Sequence, residues 1–156
     1  LSNGGFTIVD ADLFPLLNST AWQRSTSGGV YRSQSRFGKT ETVLMHRVVN
    51  ETPNGVITDH RNRCRIDNTR RNLRNSTKSL NAGNSIPRKR KPGGPVFKGV
   101  FYRKDLVSKP WAARIGSDKT LKHLGYFETE ELAAEAYNRA AIARYGHHAL
   151  LNEVKT

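Results

Sequence analysis

The 156-residue sequence predicts an α+β chain. Its parts are a small β-rich N-terminal scaffold, a basic linker, and a three-stranded antiparallel sheet packed on one helix. Three observations carry this. Short apolar/polar alternations run through the first 45 residues and return after residue 95, the period of half-buried strands. Leu132, Ala136 and Ala140 instead have helical spacing behind a capping Thr129. Between the two regions, residues 85–95 hold three prolines, two glycines and four consecutive basic residues, a composition that stays solvated and denies regular structure.

Each element has a local reason. Phe6 and Ile8 alternate with polar neighbours as a short strand. Asp10 and Asp12 precede Leu13, Phe14, Leu16 and Leu17, a capped helical turn in which Pro15 is tolerated only near the start. Val30-Tyr31-Arg32 and Thr42-Val43-Leu44-Met45 flank Phe37-Gly38-Lys39 as a hairpin. His46-Arg47-Val48-Val49 opens a short helix, and Thr52-Pro53-Asn54-Gly55 is a turn. Val56 and Ile57 begin a strand that ends at Asp59-His60. A polar loop follows, Asn72-Leu73-Arg74 is too short to classify, and residues 76–84 suit a helix capped by Ser76 or Thr77 and anchored by Leu73 and Leu80. Beyond the linker, strands are expected around Val96–Arg103, around Trp111–Ile115 and up to Gly125. The last helix carries Glu130 and Glu131 in its first turn, which suits its dipole, and stops at Gly146.

Charge narrows the function classes. The net charge is +13, which calls for a polyanionic partner, nucleic acid before membrane. It is uneven: residues 1–45 carry +1, residues 46–95 carry +9 and residues 96–156 carry +3. No apolar run approaches the roughly 18–20 residues that cross a bilayer, and no signal-peptide core is present, so a non-secreted, cytoplasmic protein is expected. Leu1 in place of Met suggests residues before it. Cys64 is the one cysteine, so there is no intrachain disulfide and no cysteine-rich structural zinc site.

The segment from Thr58 to Asn81 is the least ordinary. It holds seven basic residues, five asparagines, two aspartates and His60. Phosphodiester hydrolysis needs a base for water and hard oxygen ligands for a divalent cation. Asp59 and Asn81 offer such oxygens, and His60 titrates in the useful range for a base. Adjacent residues in a regular strand face opposite ways, so Asp59-His60 needs a strand end or bend. A plain basic strip lying on nucleic acid accounts for the same residues, since Asp-His dipeptides are common.

The order of residues adds to this. Asp59-His60, Asp67-Asn68, Asn72-Leu73-Arg74 and Asn81 resemble the motif of HNH nucleases of the His-Me finger group, especially phage and intron-homing members, and His46-Arg47 resembles the pair that precedes it there. The resemblance implies a ββα-metal motif with His60 as general base and one divalent metal, Mg²⁺ or Mn²⁺, on Asp59 and Asn81. It also implies that Asn72 braces the loop and helps orient the histidine. Products would be 5′-phosphate and 3′-hydroxyl ends, by nicking if the chain acts as a monomer. A phage origin would place it in a bacterial host's cytoplasm. Family loops often carry small or acidic residues, such as Gly-Asp-Gly, where this chain has Arg63-Cys64-Arg65.

The C-terminal stretch resembles the APETALA2/ethylene-response-factor DNA-binding domain. Phe97-Lys98-Gly99-Val100, Trp111-Ala112-Ala113-Arg114-Ile115, Leu124-Gly125-Tyr126-Phe127, Glu131–Tyr137 with Ala140-Ala141, and Leu151-Asn152 carry that resemblance. It implies a sheet that enters the major groove; plant members carry arginines and tryptophans at several sites where this chain has Phe101, Ala112, Gly116 and His123, so a looser sequence preference is expected. On these readings residues 1–84 are an endonuclease domain (scaffold 1–45, motif 46–84), 85–95 the linker, and 96–156 a double-stranded-DNA-binding domain. No small-molecule cofactor is expected. The expected DNA contacts are Arg61, Arg63, Arg65, Arg70, Arg71, Arg74, Lys78, Arg88, Lys89, Arg90, Lys98, Arg103, Arg114 and His123. A competing reading is a DNA-binding regulator that does not cut. Trp22 and Trp111 are expected in the core, His147-His148 as surface or packing residues, and Lys104 and Lys109 in a solvated loop.

Overall fold

A computed structural model of the chain describes residues 1–86, 96–116 and 121–154. It is a mixed α+β protein with antiparallel sheets, dividing into two compact units, Leu1–Thr77 and Lys78–Thr156. Residues 87–95, most of the expected linker, lie outside the described residues, and Arg88, Lys89 and Arg90 with them.

The first unit opens with a short 3-10 turn, Ala11–Leu13, running into α1, Phe14–Asn18, with Pro15 in its first turn, where a missing N–H costs nothing. Strands β1 (Gln23–Arg24), β2 (Val30–Arg36) and β3 (Lys39–Leu44) form one antiparallel sheet in chain order. The β2–β3 register runs from Tyr31 opposite Leu44 to Arg36 opposite Lys39, so only Phe37 and Gly38 make the turn. Helix α2, Met45–Val49, follows directly. Leu17, Trp22, Val30, Met45, Val49 and Leu73 form the buried core, and Trp22 Nε1 donates to the Leu17 carbonyl at 2.8 Å. Trp22 is thus a packing residue with its polar end satisfied.

Two expectations need revision here. Phe6 and Ile8 do not form a strand. A lone parallel bridge pairs Ile8 with Asp67, and Phe6 is 67% exposed. The pairing is spent on pinning the later loop: Ile8 N donates to the Ile66 carbonyl and Asn68 N donates back to that of Ile8, both at 2.8 Å. The stretch after Asn72 is a strand. A 3-10 turn, Arg70–Asn72, feeds β5, Leu73–Ser76, which pairs antiparallel with β4, Ile57–His60.

In the second unit α3, Lys78–Asn84, packs on α4, Glu130–Tyr145, where Leu80 lies against the cluster of Ile115, Tyr137, Ala141 and Tyr145. A side chain at Gly83 would meet the Tyr145 ring at 2.7 Å, so this helix contact requires glycine. Strands β6 (Val100–Tyr102), β7 (Trp111–Ile115) and β8 (Lys122–Phe127) form the three-stranded antiparallel sheet, with a bulge at Ala113/Arg114. The third strand runs past Gly125 to Phe127, further than its sequence suggests. Thr129 caps α4 by accepting from Leu132 N at 3.2 Å. Ala133, Ala134 and Ala141 are fully buried, small enough to let the helix lie close on the sheet. Asn152 clasps the backbone of Lys98 from both sides, at 2.7 and 3.1 Å, and Asn138 in turn clasps Asn152. Among the described residues no helix is long and apolar enough to cross a membrane.

Candidate active site

Asp59 and His60 stand at the end of β4, both buried, at 5% and 8% exposure. The strand ends there because the chain turns: Arg63 N donates to the His60 carbonyl at 3.0 Å, and Arg63 adopts a left-handed φ of 63°. Asp59 and His60 are thus the last two residues of the strand, both still paired in the ladder, opposite Arg74 and Leu73.

The asparagines explain the loop that follows. Apart from its single bridge to Ile8, the backbone groups of this loop lack a ladder, and side chains that both donate and accept serve them. Asn72 does both: its Oδ1 accepts from Asn62 N at 3.0 Å and its Nδ2 donates to the Asp67 carbonyl at 2.7 Å. Asn62 Oδ1 accepts from Cys64 N, and its Nδ2 donates to Asp67 Oδ2, both at 2.8 Å. Asp67 Oδ1 in turn accepts from Thr69 N and Oγ1, at 3.3 and 2.8 Å.

The partner of the imidazole is Asn68, fully buried, whose Oδ1 lies 3.2 Å from His60 Nε2. The rest of the network fixes the direction of that bond. The Thr7 hydroxyl donates to the Ile66 carbonyl at 2.8 Å, so it accepts from Asn68 Nδ2 at 2.9 Å. Nδ2 also lies 3.5 Å from the Arg65 carbonyl, an acceptor only. Oδ1 therefore faces the imidazole, an amide oxygen only accepts, and the proton resides on Nε2. In the neutral ring Nδ1 then carries the lone pair. In the sequence Asn68 is only half of a dipeptide, Asp67-Asn68, indistinguishable from other polar loop residues, and nothing there marks it as the partner of His60.

His46, on α2, sets its ring edge-on to His60, centroids 5.3 Å apart and planes 81° apart. Burial, then the positive potential of His60, Arg47 and Arg65, lowers its pKa to about 4. The His60 pKa is also lowered, by burial first, against the opposing pull of the Asn68 hydrogen bond and the Asp59 charge. Both rings are neutral at neutral pH, as a proton acceptor must be. Arg47, meanwhile, holds the 52–56 turn, donating to the carbonyls of Val56, Thr52 and Pro53.

Asp59 is directly across the ladder from Arg74, whose Nε and Nη2 donate to Asp59 Oδ2 at 2.9 and 2.7 Å, both side chains being almost fully buried. Arg74, expected on DNA, is instead the partner of the acid. Removing one member of such a pair costs about 3–5 kcal/mol, because the other charge is left buried.

The donor set suits a hard cation in kind. Asp59 brings a carboxylate and Asn81 an amide oxygen, and Mg²⁺ takes few protein ligands and keeps waters. The two residues belong to different units: Asp59 to the first, and Asn81 to the exposed side of α3 in the second. A cation at Asp59 has to share that carboxylate with Arg74. Among the described residues no group of three or more His, Cys, Asp and Glu is disposed to hold a metal.

The remaining expected contacts differ in what they already touch. Arg61, Arg63, Arg65, Arg71 and Lys78 are exposed. Arg65 also donates to the Ser27 carbonyl at 2.9 Å, and Arg70 pairs with Asp12 at 2.8 Å on the surface. In the second unit Lys98 caps the end of α3, its ammonium donating to the carbonyls of Ala82, Gly83 and Ser85 at 3.1, 2.6 and 2.8 Å. That ammonium neutralises a helix C-terminus rather than extending from the sheet. Arg103 pairs with Asp105, Arg114 lies over the Phe101 ring, and the His123 ring packs tilted against that of Tyr126, centroids 4.5 Å apart. Those last four residues make an aromatic and basic face on the sheet.

The chain is similar to a protein of Acanthamoeba polyphaga mimivirus described as an uncharacterized HNH endonuclease, with 26% identity over 157 aligned positions that span 97% of this chain and 76% of that protein. No family model matches the chain, and no solved structure matches it.

Proposed function

We propose that the protein is a metal-dependent, homing-type endonuclease of the HNH group that acts on double-stranded DNA. The observation that carries this is the held base: His60, neutral, with Nε2 committed to Asn68 and Nδ1 bearing the lone pair, in a loop studded with exposed arginines. Similarity over nearly the whole chain to a protein described as an HNH endonuclease supports a nuclease. The order β4, β5, α3 along the chain is that of a ββα-metal motif.

On this reading His60 Nδ1 takes the proton of the attacking water, and the amide of Asn68 steadies the imidazolium from its other side. Asn72 keeps the loop closed, so the base does not have to be ordered when DNA arrives. The exposed arginines hold phosphates by charge. A Mg²⁺ or Mn²⁺ ion on Asp59 and Asn81 would stabilise charge developing on the scissile phosphate and the leaving oxygen. A monomer has one such site and addresses one strand, so nicking is expected, with 5′-phosphate and 3′-hydroxyl ends. The second unit would serve as a DNA-binding domain of the APETALA2 type, engaging DNA through the face of Phe101, Arg114, His123 and Tyr126.

One observation favours a second reading. The charge of Asp59 is already met by Arg74, which suits a binding protein that no longer recruits a metal. Nicking of supercoiled plasmid with Mg²⁺ at low salt separates the two. The nuclease reading expects wild type to nick and His60→Ala to lose at least about 100-fold of that rate. Equal behaviour of the two proteins would remove it in favour of the regulator.

A further inference from the structure

The β2–β3 hairpin ends in a residue that folding does not explain. All ten residues from Ser33 to Thr42 are exposed, so the far half of the ribbon stands clear of the core. Nine of them are polar, charged or glycine, and the tenth, at the tip, is Phe37, 91% exposed. The turn has two residues, both with positive φ, 50° at Phe37 and 72° at Gly38. Asn, Asp and Gly are the residues that such a turn favours at its first position, and a bulky side chain there is strained. The neighbours add a second cost. Arg36 and Lys39 face each other across the ladder, a like-charge pair directly opposite beside the turn. The Arg36 guanidinium lies over the Phe37 ring, 5.5 Å from its centre.

Two choices that each lower stability therefore meet at one exposed tip, and a polyanion bound there would offset the repulsion between the two cations. Arg36 and Lys39 call for a polyanion, in keeping with the +13 charge of the chain. The ring between them calls for something flat and apolar behind the phosphates. From Ser33 to Phe37 the ribbon reaches about 13 Å, longer than either groove of duplex DNA is deep, at about 7.5–8.5 Å. We propose that the β2–β3 tip is a DNA wedge: Arg36 and Lys39 grip the two backbones while Phe37 inserts at a base step and unstacks it. Apolar wedges of this kind kink the duplex at the step they enter.

This rests on duplex DNA being the substrate of the proposed function, and the test keeps the two apart. The full chain, in EDTA so that nothing is cut, is titrated with duplexes carrying 2-aminopurine at successive steps, as wild type, Phe37→Asn and Phe37→Trp. Wild type and Phe37→Trp should raise the fluorescence. Phe37→Asn should abolish the rise and weaken binding roughly 10-fold or more, while its Tm stays level or increases, because asparagine suits the turn. A purely structural role for Phe37 predicts the opposite, a lower Tm with unchanged binding. Equal affinity of Phe37→Asn, no fluorescence change with wild type, or Phe37-dependent binding to anionic vesicles without binding to duplex DNA would each overturn the wedge. Wild type that unstacks DNA in EDTA yet never nicks plasmid with Mg²⁺ would sink the nuclease reading alone.

Discussion

Asn68 has no solvent exposure and no charge, its side chain has three hydrogen-bonding neighbours, and its amide oxygen lies at hydrogen-bond distance from the imidazole. If it holds His60 in one tautomer, its variants should separate geometry from charge. Asn68→Ala leaves Nε2–H without this acceptor and should lower kcat about 10- to 100-fold with little change in KM. Asn68→Asp keeps an acceptor and adds a charge that favours imidazolium. Its activity should exceed that of the alanine variant, and its acid limb should move to higher pH. A pH–rate profile unchanged in Asn68→Asp would mean the amide does not govern the base. His46 makes a separate prediction about stability. Its folded pKa, about 4, lies below the ordinary 6.5. Above pH 6.5 the ring is neutral folded or unfolded. Between 6.5 and about 4 the unfolded chain takes a proton that the folded chain refuses, so stability falls as pH falls through that window. His46→Gln should therefore lose less Tm than wild type between about pH 7 and about pH 5. Parallel Tm curves for the two proteins would show that His46 titrates normally.

Elements differ in how plainly their residues announce them. The hairpin from Val30 to Leu44, the turn at Thr52–Gly55, the strand into Asp59-His60 and the capped C-terminal helix were legible because period and punctuation agree there. The strand Leu73–Ser76 was not, since its four residues pair with Ile57–His60 through a contact 13 or more positions away that no local pattern records. For the same reason Arg74 read as one more surface cation; only the register shows that it lies opposite Asp59. Phe6 and Ile8 erred the other way: two alternations suffice to suggest a strand, while the fold uses one bridge. Of the candidate site, the placing of Asp59 and His60 at a strand end was legible, whereas the contact of Asn68 with the imidazole and the position of Asn81 in the other unit were not. The loop element also explains the difference at Arg63-Cys64-Arg65. Arg63 holds a left-handed φ of 63°, which glycine adopts without strain, matching the glycine often found there in the family it resembles. Arg63→Gly should hold or raise stability, by up to about 1 kcal/mol, while weakening DNA binding through the lost cation. A clear drop in Tm would show instead that the arginine side chain supports the loop.

At the scale of the whole molecule, the two proposed metal ligands, Asp59 and Asn81, fall in different compact units of the chain. The core of the first unit draws only on residues up to Leu73, so that unit has what it needs to fold without the rest. Helix α3 does not: its Leu80 packs on Tyr137 and Tyr145, its Gly83 meets Tyr145, and its last carbonyls are capped by Lys98. Seven residues are too few for a stable isolated helix. A fragment of residues 1–86 should therefore fold, with Trp22 buried and fluorescing as in the parent, yet carry Asn81 on a frayed tail. If Asp59 and Asn81 jointly hold the cation, that fragment should bind DNA weakly and nick plasmid at least about 10-fold more slowly than the full chain, even at concentrations where its DNA is saturated. Tethering alone predicts a different outcome, a loss that saturating fragment restores, because a second DNA-binding unit only raises effective concentration. Full nicking at saturation would take Asn81 out of the metal site and leave the second unit as an anchor. Failure at saturation, with Trp22 still buried, would mean that the second unit also orders one ligand of the proposed active site.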